Sequence, residues 1–574
     1  MKKTFRITVA ASLISAMLGV HGMTAFASAE AGAVAATAMP EAVYALSDQL
    51  QVELKSVLNE RTSAGNRIGT VLRITNTGSA VKRLADYELL VRTQDGAEYS
   101  LQPSAANAKA VQPKTSAELS FLTSIDRTDG VDIIEVLLKE VDYYVYPKKE
   151  TLLISIPIVS RPWNGSEGAV AVDPSVSQAW GASFSFPSLR SPISYKPVGI
   201  RKEMTDKGTV YVVQLLASNT ADHREPVPDF AIDGRSGSKV FAGSRVEQEP
   251  IALEAQEETY IHYAIPTDTD TVLTGLNVLT TETFVGSAGS APVSYKVGRL
   301  HIDLSAASGG SGSYPTYSFG DKIELDAKNQ LIHPDLKLSL VGLPINDNAE
   351  EGTKTVTATF LLTNNGDSPI PIPVFQTGLV SSDGYRYDGS RQSAGGTPLL
   401  PQESVTINYS FALPATETGQ GLVLEIEDAV TTAPYKTTIA AIRTEAVPYE
   451  RQDSFTVYPF KLSVKSNSTN FIFNPQTLEY SYVGNYNITI ERDPGVRVDQ
   501  SFPVLLFELH DGSDRLVASS TAPLTGMGRL VSGINKIRFT GTTQSFDYPL
   551  TLNIYEVFKT DSGESKRLLT QMEQ

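Results

Sequence analysis

The sequence contains no cysteine among its 574 residues, so disulfide bonds, thiol nucleophiles, cysteine-held zinc and cysteine-linked lipid are excluded. Histidine is scarce too, with six in the whole chain. Beyond the first 29 residues the histidines are His223, His262, His301, His333 and His510. None of these lies within four positions of another, which excludes a paired-histidine zinc site on one strand or helix.

Motifs that carry enzyme chemistry are also missing. The chain has no G-x-S-x-G turn and no Gly-rich loop ahead of a Lys-Ser or Lys-Thr pair. Adjacent acids such as Glu257 and Glu258 point to opposite faces of a strand, so they cannot flank one bond. The sequence therefore predicts a protein that is not an enzyme, with no cofactor and no catalytic or metal-binding residues.

Long apolar runs are absent except at the N-terminus. Residues 2–6 carry three basic side chains, residues 7–20 are mostly apolar, and small residues follow at 25–29. This order is typical of a secretory signal peptide, and the apolar part is shorter than the roughly 20 residues of a membrane span. We predict a signal peptide at 1–29 and a secreted, extracellular or cell-wall-associated protein without a membrane span after cleavage. A retained N-terminal anchor is the alternative.

The charge balance is acidic, with 48 Lys and Arg against 64 Asp and Glu and a net charge of −16. Nucleic acid is therefore not expected as a partner, because it rewards clustered basic side chains. The acids are scattered, which favours a role in solubility. Calcium or a basic partner is the alternative.

A pattern recurs four times along the chain. A strand-like run ends at a turn residue, a tight-turn pair follows, and an aliphatic-x-aromatic strand centre comes last. The turn residues are Asn76, Asn219, Asn364 and, more weakly, Arg492. The turn pairs begin at Asp95, Ser236, Asp383 and Asp511, and the strand centres are Leu119-x-Phe121, Ile261-x-Tyr263, Ile407-x-Tyr409 and Ile537-x-Phe539. The gaps are 19, 17, 19 and 19 residues, then 24, 25, 24 and 26, which indicates one β-module used four times.

Period-two alternation sets the fold class. Leu72 and Ile74 alternate with Val71 and Arg73, which predicts one face on a core and one in water. By the same alternation, Asn408 is expected on the surface and Ile407 in the core. We therefore predict an all-β chain of four tandem immunoglobulin-like β-sandwich domains joined by Pro/Gly/Ser-rich linkers that couple them weakly.

The predicted boundaries follow the composition. They are a signal peptide at 1–29, a flexible lead-in at 30–49, sandwich 1 at 50–160, a linker with a possible accessory strand at 161–196, sandwich 2 at 197–305, a Gly/Ser linker at 306–332, sandwich 3 at 333–444, a short linker at 445–459 and sandwich 4 at 460–574.

These modules resemble the tandem immunoglobulin-like modules of unknown function in secreted Gram-positive bacterial proteins. The residues that carry the resemblance are Leu72–Gly78, Asp95-Gly96, Val111–Pro113 and Leu119–Phe121, with Thr363–Gly366, Asp383-Gly384, Leu400-Pro401 and Ile407–Tyr409 in the third module. The fourth module departs by having Arg492 in place of the Asn turn. The resemblance implies the fold and the compartment and transfers no catalytic residues.

Exposed aromatic side chains are the only candidate ligand contacts. Tyr144 and Tyr146 are expected to share one strand face, as are Tyr385 and Tyr387 after a turn. Coplanar tyrosines could stack on sugar rings, although tyrosine also favours cross-strand pairing within a sheet. His262 is expected on an outward strand face, in a solvated or interstrand role.

Two acidic stretches, 126–132 and 267–270, are reminiscent of calcium loops without matching the twelve-residue spacing. Calcium at a boundary between domains therefore stays open. The function expected from the sequence is an exported, non-catalytic scaffold, spacer or adhesion component whose partner is an extracellular protein or cell-wall glycan. The alternative is a polysaccharide-binding protein that uses the tyrosine faces.

Overall fold

The computed structural model describes residues 42–127, 131–158, 162–165, 177–205, 207–305, 314–348, 352–393, 395–431, 433–543 and 548–573. The predicted signal peptide lies outside the described residues, as do most of the predicted lead-in and the Gly/Ser run at 308–313. The described chain is all-β, as predicted, and its one described helix is a short 3-10 turn, Pro187–Leu189. No helix in the described ranges is long and apolar enough to cross a membrane.

The strands fall into four successive groups, here called segments 1 to 4. Segment 1 contains β1 (Val43–Ala45), β2 (Leu50–Thr62), β3 (Gly65–Asn76), β4 (Lys82–Arg83), β5 (Tyr87–Thr93), β6 (Glu98–Pro103), β7 (Ala110–Val111), β8 (Ser116–Ile125), β9 (Ile133–Asp142) and β10 (Lys149–Pro157). Segment 2 contains β11 (Ser177–Ala179), β12 (Phe184–Ser185), β13 (Ile193–Thr205), β14 (Gly208–Asn219), β15 (Glu225–Pro226), β16 (Ala231–Ser236), β17 (Lys239–Phe241), β18 (Ser244–Arg245), β19 (Ala252–Leu253), β20 (Glu258–Thr267), β21 (Gly275–Phe284) and β22 (Val293–Asp303).

Segment 3 contains β23 (Leu336–Gly342), β24 (Pro344–Asn348), β25 (Thr353–Asn364), β26 (Gln376–Val380), β27 (Arg386–Asp388), β28 (Ser390–Arg391), β29 (Ser404–Pro414), β30 (Leu422–Asp428), β31 (Thr437–Thr444) and β32 (Val447–Pro448). Segment 4 contains β33 (Ser454–Val457), β34 (Phe460–Asn474), β35 (Glu479–Arg492), β36 (Val496–Arg497), β37 (Val504–His510), β38 (Leu516–Pro523), β39 (Gly533–Arg538), β40 (Thr551–Thr560) and β41 (Gly563–Glu573).

Within each segment the strands pair mainly antiparallel. Segment 2 has two sheets, ordered β11-β22-β21-β16-β17 and β12-β13-β14-β20-β18, and segment 4 has β33-β34-β35-β39 and β38-β37-β40-β41. Segment 3 pairs β28-β29-β25-β24-β32 in one sheet and β27-β26-β30-β31 in the other. In segment 1 strand β6 pairs with both β5 and β8, so eight strands form one continuous sheet, β1-β2-β3-β8-β6-β5-β9-β10.

Each segment encloses its own hydrophobic cluster. In segment 3, Phe360 and Ile407 come from one sheet and Leu379 and Leu424 from the other, and all four are 1% exposed or less. The sheets therefore face each other across a shared core, which is a sandwich-like arrangement. Segments 1, 2 and 4 each have a comparable cluster made from their own strands.

The cores reach into all three stretches that the composition marked as linkers, and in the one at 445–459 Phe455 and Val457 are core residues of segment 4. Phe186 and Tyr195, in the predicted linker at 161–196, are core residues of segment 2. Ile323 and Ile332, in the predicted linker at 306–332, belong to the core of segment 3. Chain that is rich in Ser, Pro and Gly can thus contribute core residues, because a few large apolar side chains are enough to anchor it.

The recurring asparagine has one structural role in three segments. Asn76, Asn219 and Asn364 are each 2% exposed or less. Each side-chain amide donates to the backbone oxygen four residues ahead and to another about 35 residues ahead. Each side-chain oxygen accepts from the backbone N–H two residues ahead. One buried residue therefore ties its own turn to a distant loop.

The fourth segment follows this scheme only in part. Arg492 stands in place of the asparagine, and its guanidinium also donates to the backbone oxygen four residues ahead, that of Val496, at 2.9 Å. The aromatic residues of the first three strand centres, here called the landmark aromatic residues, are Phe121, Tyr263 and Tyr409, and each pairs with the residue six positions before its segment's turn asparagine. In segment 4 the equivalent residue, Tyr486, pairs with Asn535, so the predicted centre Ile537-x-Phe539 is out of register. The fourth landmark was therefore misplaced by four residues.

Candidate functional site

The first tyrosine pair does not lie on a strand. Tyr144 and Tyr146 occupy the loop between β9 and β10, and they are 98% and 101% exposed. The expectation of a shared strand face is wrong for this pair, because β9 ends at Asp142 and the chain turns before β10. Two neighbours in the loop, Tyr143 and Val145, are also exposed. The result is an aromatic loop tip and not a flat strand surface.

The second tyrosine pair is divided between solvent and protein. Tyr385 precedes β27 and is 68% exposed. Tyr387, within β27, packs against the core of segment 3, and its hydroxyl lies 3.5 Å from the Glu417 carboxylate. Desolvation is the main reason that the pKa of Tyr387 is raised, with the Glu417 carboxylate adding to it. Among the described residues no contact between aromatic rings joins Tyr144 to Tyr146 or Tyr385 to Tyr387.

His262 is buried rather than solvated. Its side chain and backbone are 4% exposed, and its Nδ1 lies 2.8 Å from Oε1 of Glu247. Glu247 also accepts the backbone N–H of His262, so one carboxylate holds the residue at two points. The expected interstrand role fits this contact, whereas a solvated histidine does not.

The calcium-like stretch at 126–132 is only partly described, because 128–130 lie outside the described residues. Arg127 within it donates to the Asp95 carboxylate at 2.8 Å. Hydrogen bonds from Thr93 and then Arg127 lower the pKa of Asp95 to about 2. In the described part of the chain, no group of three or more His, Asp or Glu side chains is arranged to hold a metal ion.

The most extensive polar structure lies at the contacts between consecutive segments, here called joints. At joint 1–2 the Lys55 ammonium of segment 1 lies 3.0 Å from the Glu282 carboxylate of segment 2, and the two side chains are 6% and 4% exposed. Arg299 of segment 2 bonds both to Glu282, at 2.9 Å, and to the backbone oxygen of Lys55, at 2.7 Å. A buried ion pair therefore crosses the joint, and its carboxylate is shared with Arg299.

A second set of charges surrounds this pair. Arg73 of β3 is 5% exposed and bonds to Glu53 at 2.7 Å and Glu118 at 2.8 Å. Its guanidinium also donates to the backbone oxygen of Ser188 in segment 2. Burial alone would raise the pKa of Glu118, but hydrogen bonds from Lys55 and Arg73 outweigh it, and the pKa of Glu118 is lowered.

Trp163 closes joint 1–2 from within the predicted linker. Its backbone pairs with β2, donating to Val57 at 3.0 Å and accepting from Asn59 at 2.8 Å. Its ring lies against Gly298 of segment 2, where an added Cβ would come within 2.2 Å of the indole. The joint also has its own small hydrophobic cluster, formed by Leu58, Leu122, Trp163, Phe284, Tyr295 and Val297.

Joint 2–3 repeats the combination of an aromatic residue and buried charge. Glu427 of segment 3 is fully buried and contacts the guanidinium of Arg201 from segment 2 and that of Arg386 from its own segment. Tyr435 packs against a small cluster on segment 2 that includes Val212 and Ala264. The joint therefore holds a carboxylate between two arginines, one from each side.

Joint 3–4 is held by neutral groups in the main. Ser565 donates to Ser410 at 2.8 Å, Gln392 donates to the backbone oxygen of Ser501 at 2.6 Å, and Asn346 donates to that of Leu568 at 3.0 Å. Strand β36 adds parallel to β29, so the sheet of segment 3 continues into segment 4. Among these groups only Arg497 and Glu403 form an ion pair across the joint, at 3.0 Å.

Sequence reasoning missed the joints because it assigned one strand face to water. The signals that could have indicated them are apolar or glycine residues at outward positions, such as Val71 and Gly69, and a tryptophan inside a Ser/Gly-rich stretch. Comparison of the sequence with models of known protein families and with curated proteins gives no match. The joints and the two tyrosine loops are thus the candidate functional features.

Proposed function

We propose that the chain is an exported, non-catalytic scaffold or spacer of the cell envelope, made of four immunoglobulin-like β-sandwich domains that correspond to segments 1 to 4. The resemblance to modules of secreted Gram-positive proteins belongs to this proposal. What supports the division is that each segment has a separate core cluster. What supports a mechanical role is the construction of the joints.

The Lys55–Glu282 pair is the observation that carries the proposal. Removing two charges from water costs several kcal/mol per ion, about 20 kcal/mol in the idealised limit, and only close pairing repays that cost. At 3.0 Å and under 7% exposure, the pair is favourable only while segments 1 and 2 keep one relative position. Domains that move freely on a linker would leave both side chains in water.

Trp163 adds a second restraint on the same joint. The sequence predicted weak coupling through the stretch 161–196, but Trp163 within it bonds to β2 on one side and fills the space above Gly298 on the other. A linker that is fixed near its start to both segments transmits orientation from one segment to the next. A row of segments with fixed orientations keeps its length under load, which is the property a spacer needs.

The compartment is tested by the mature N-terminus of the protein from its native cells. Sequencing of the culture-medium and cell-wall fractions should give a start at Ser28 or Glu30, because small residues stand at cleavage spacing there. A protein that keeps residue 1 and sediments with membranes would refute the exported scaffold and favour the anchor.

A second candidate function is binding of cell-wall or extracellular polysaccharide, favoured by the near-complete exposure of Tyr144 and Tyr146 and the exposure of Tyr385. Aromatic rings with a free face can stack on sugars. Mature protein should then sediment with purified cell wall and be displaced by free glycan, and Tyr144→Ala with Tyr146→Ala should abolish this. Tyr387→Ala is the matched control, because that ring is directed to protein. Equal binding by all variants would exclude the loop that carries Tyr144 and Tyr146.

A further inference from the structure

The three joints are one interface used three times. In each, the outer face of the sheet that contains the first long strand of a segment meets the last antiparallel hairpin of the next segment. Joint 1–2 uses β2, β3 and β8 against β21 and β22. Joint 2–3 uses β13, β14 and β20 against the β30–β31 hairpin, and joint 3–4 uses β25, β29 and β24 against β40 and β41.

Equivalent positions confirm that the geometry repeats. Each of these hairpins has a β-bulge in its second strand. The residue four positions before the bulged residue faces the joint, and these residues are Tyr295, Tyr435 and Ser565. On the other side, the residue that follows the landmark aromatic residue receives it: Leu122, Ala264 and Ser410. An interface that joins two different surfaces in this way is heterologous, and it can be extended without limit.

The receiving surface recurs on segment 4, where it is exposed. By strand pairing, Ile534 of β39 occupies the position of His262 and Asn408. Those two residues are 4% and 2% exposed, whereas Ile534 is 74% exposed. Lys536, two residues further along, is also exposed and takes the place of Ser410. Among the described residues nothing covers this apolar side chain.

The inserting hairpin recurs on segment 1, where it is exposed as well. The β9–β10 hairpin has its bulge directly after Leu152, and the β21–β22 hairpin has its bulge directly after Gly298. Lys149 lies three residues before Leu152 and therefore corresponds to Tyr295, which lies three residues before Gly298. Tyr295 is 5% exposed in joint 1–2, but Lys149 is exposed. In the first strand of each hairpin the register shifts at Leu138 and at Val278. Tyr144 lies six residues after Leu138 and the joint residue Phe284 lies six residues after Val278, so the two occupy equivalent positions. The exposed tyrosine loop thus coincides with the inserting element.

One pair of charges on the two exposed surfaces is complementary, whereas Lys149 and Lys536, which stand at the positions of Ser565 and Ser410, are both basic. Lys465 is the bulged residue of β34, as Lys55 is of β2. Asp142 is directly opposite Lys149, as Glu282 is opposite Tyr295. Since Lys55 pairs with Glu282 across joint 1–2, Lys465 and Asp142 are the corresponding pair, and both are exposed.

We propose that a second copy of this chain covers these surfaces: the β9–β10 hairpin of one copy docks on the outer face of β34, β35 and β39 of another. Copies then join head to tail, and each added copy again leaves one receiving surface and one hairpin at the two ends of the series. Asp142 of one copy pairs with Lys465 of the next. The inference extends the proposed scaffold from one chain to a series of chains.

The test is a charge exchange, with the full mature chain studied by sedimentation equilibrium up to about 1 mM, the effective concentration that a short linker typically supplies. The average mass of the wild-type protein should rise with concentration. Asp142→Lys and Lys465→Glu should each weaken association by at least about tenfold, because each leaves like charges facing in the contact. The double variant, and an equimolar mixture of the two single variants, should regain it.

Lys239→Glu is the matched control, since this exposed lysine lies on segment 2 away from both surfaces, and it should associate as the wild type does. A wild-type protein that stays monomeric throughout would overturn the proposal, as would single variants that associate normally or a double variant that fails to recover. Circular dichroism on each variant confirms folding. None of these outcomes affects the spacer function, which depends on the orientation of segments within one chain.

Discussion

The side-chain amide of Asn364 donates to the backbone oxygen of Leu399 at 2.9 Å, across 35 residues. The same separation links Asn76 to Val111 at 3.0 Å and Asn219 to Glu254 at 2.9 Å. A buried amide can donate to a carbonyl group in its own turn and to one in a distant loop only if the turn and the loop keep their positions. The repeat that is visible in the sequence is therefore the repeat of one hydrogen-bonded tie.

Asn364→Ala should lower the free energy of unfolding of segment 3 by about 2–4 kcal/mol, since each buried group left without a partner costs about 1–3 kcal/mol. The groups that lose their partner are the backbone oxygen of Ser368 and the N–H of Gly366, while the oxygen of Leu399 keeps the N–H of Ile370. Asn365→Ala, at the exposed neighbouring position, should change it by less than about 0.5 kcal/mol. Urea denaturation of the two variants gives the comparison, and equal stability would show that the tie is not needed.

Ile407→Asp should unfold segment 3 or bring it close to unfolding. Ile407 is 1% exposed, so the change loses about 1.5–3 kcal/mol of burial and adds the cost of a carboxyl group in an apolar core. Ala412→Asp is the control, because position 412 lies on the same strand and is exposed. Limited proteolysis should cut only the first variant, and cuts that also spread through segment 1 would reveal that unfolding is not confined to the neighbouring segments.

Acid should loosen joint 1–2 before it unfolds the cores. Glu118 pairs with Lys55 and Arg73 of its own segment, and those two side chains bond to segment 2. Because the pKa of Glu118 is lowered in the folded protein, its two ion pairs contribute fully above its unfolded pKa, ordinarily about 4.3, and are lost as pH falls through the lower, folded value. Tryptophan fluorescence of a Trp180→Phe variant, in which Trp163 is the sole reporter, should shift in acid ahead of the far-ultraviolet circular dichroism. Glu118→Gln should remove this early change, and an early change that persists in that variant would assign it to another group.

The sequence predicted the inward half of the strands better than the outward half. Ile407 was placed correctly in the core, because alternation reports the face that packs within its own sandwich. Its neighbour Asn408 was expected on the surface but is 2% exposed, because segment 4 covers the outer face of β29. A strand buried on both faces keeps no period of two, so alternation alone could not reveal the joint.

The candidate ligand residues show a similar division. The exposure of Tyr144 and Tyr146 could be anticipated from a cluster of aromatic residues beside Pro147, but their place in a loop could not, because tyrosine favours strands. The burial of Arg73 and Lys55 runs against residue preference, and only the partner segment with its carboxylates explains it. Contacts between segments depend on three-dimensional proximity, which local patterns do not encode.

Asn408→Asp tests the corrected position directly. The backbone N–H of Asn408 donates to the Gln392 side chain at 3.2 Å, and Gln392 bonds onward to segment 4. A carboxylate buried beside this amide should destabilise joint 3–4 by more than about 1 kcal/mol, since an unpaired buried charge is costly. Thermal denaturation should show it, and a change below about 0.5 kcal/mol would restore the original surface assignment.

The most direct test of the account is the distance between segments 1 and 2 in solution. Because the chain has no cysteine, spin labels can be attached at Lys109→Cys and Lys239→Cys, both on exposed side chains in the two segments. Pulsed electron resonance should give a single narrow distance distribution, which Trp163→Ala combined with Lys55→Ala broadens and Trp180→Phe leaves narrow. A broad distribution in the wild-type chain, no different from that of the double variant, would contradict joints that hold the segments in a fixed orientation.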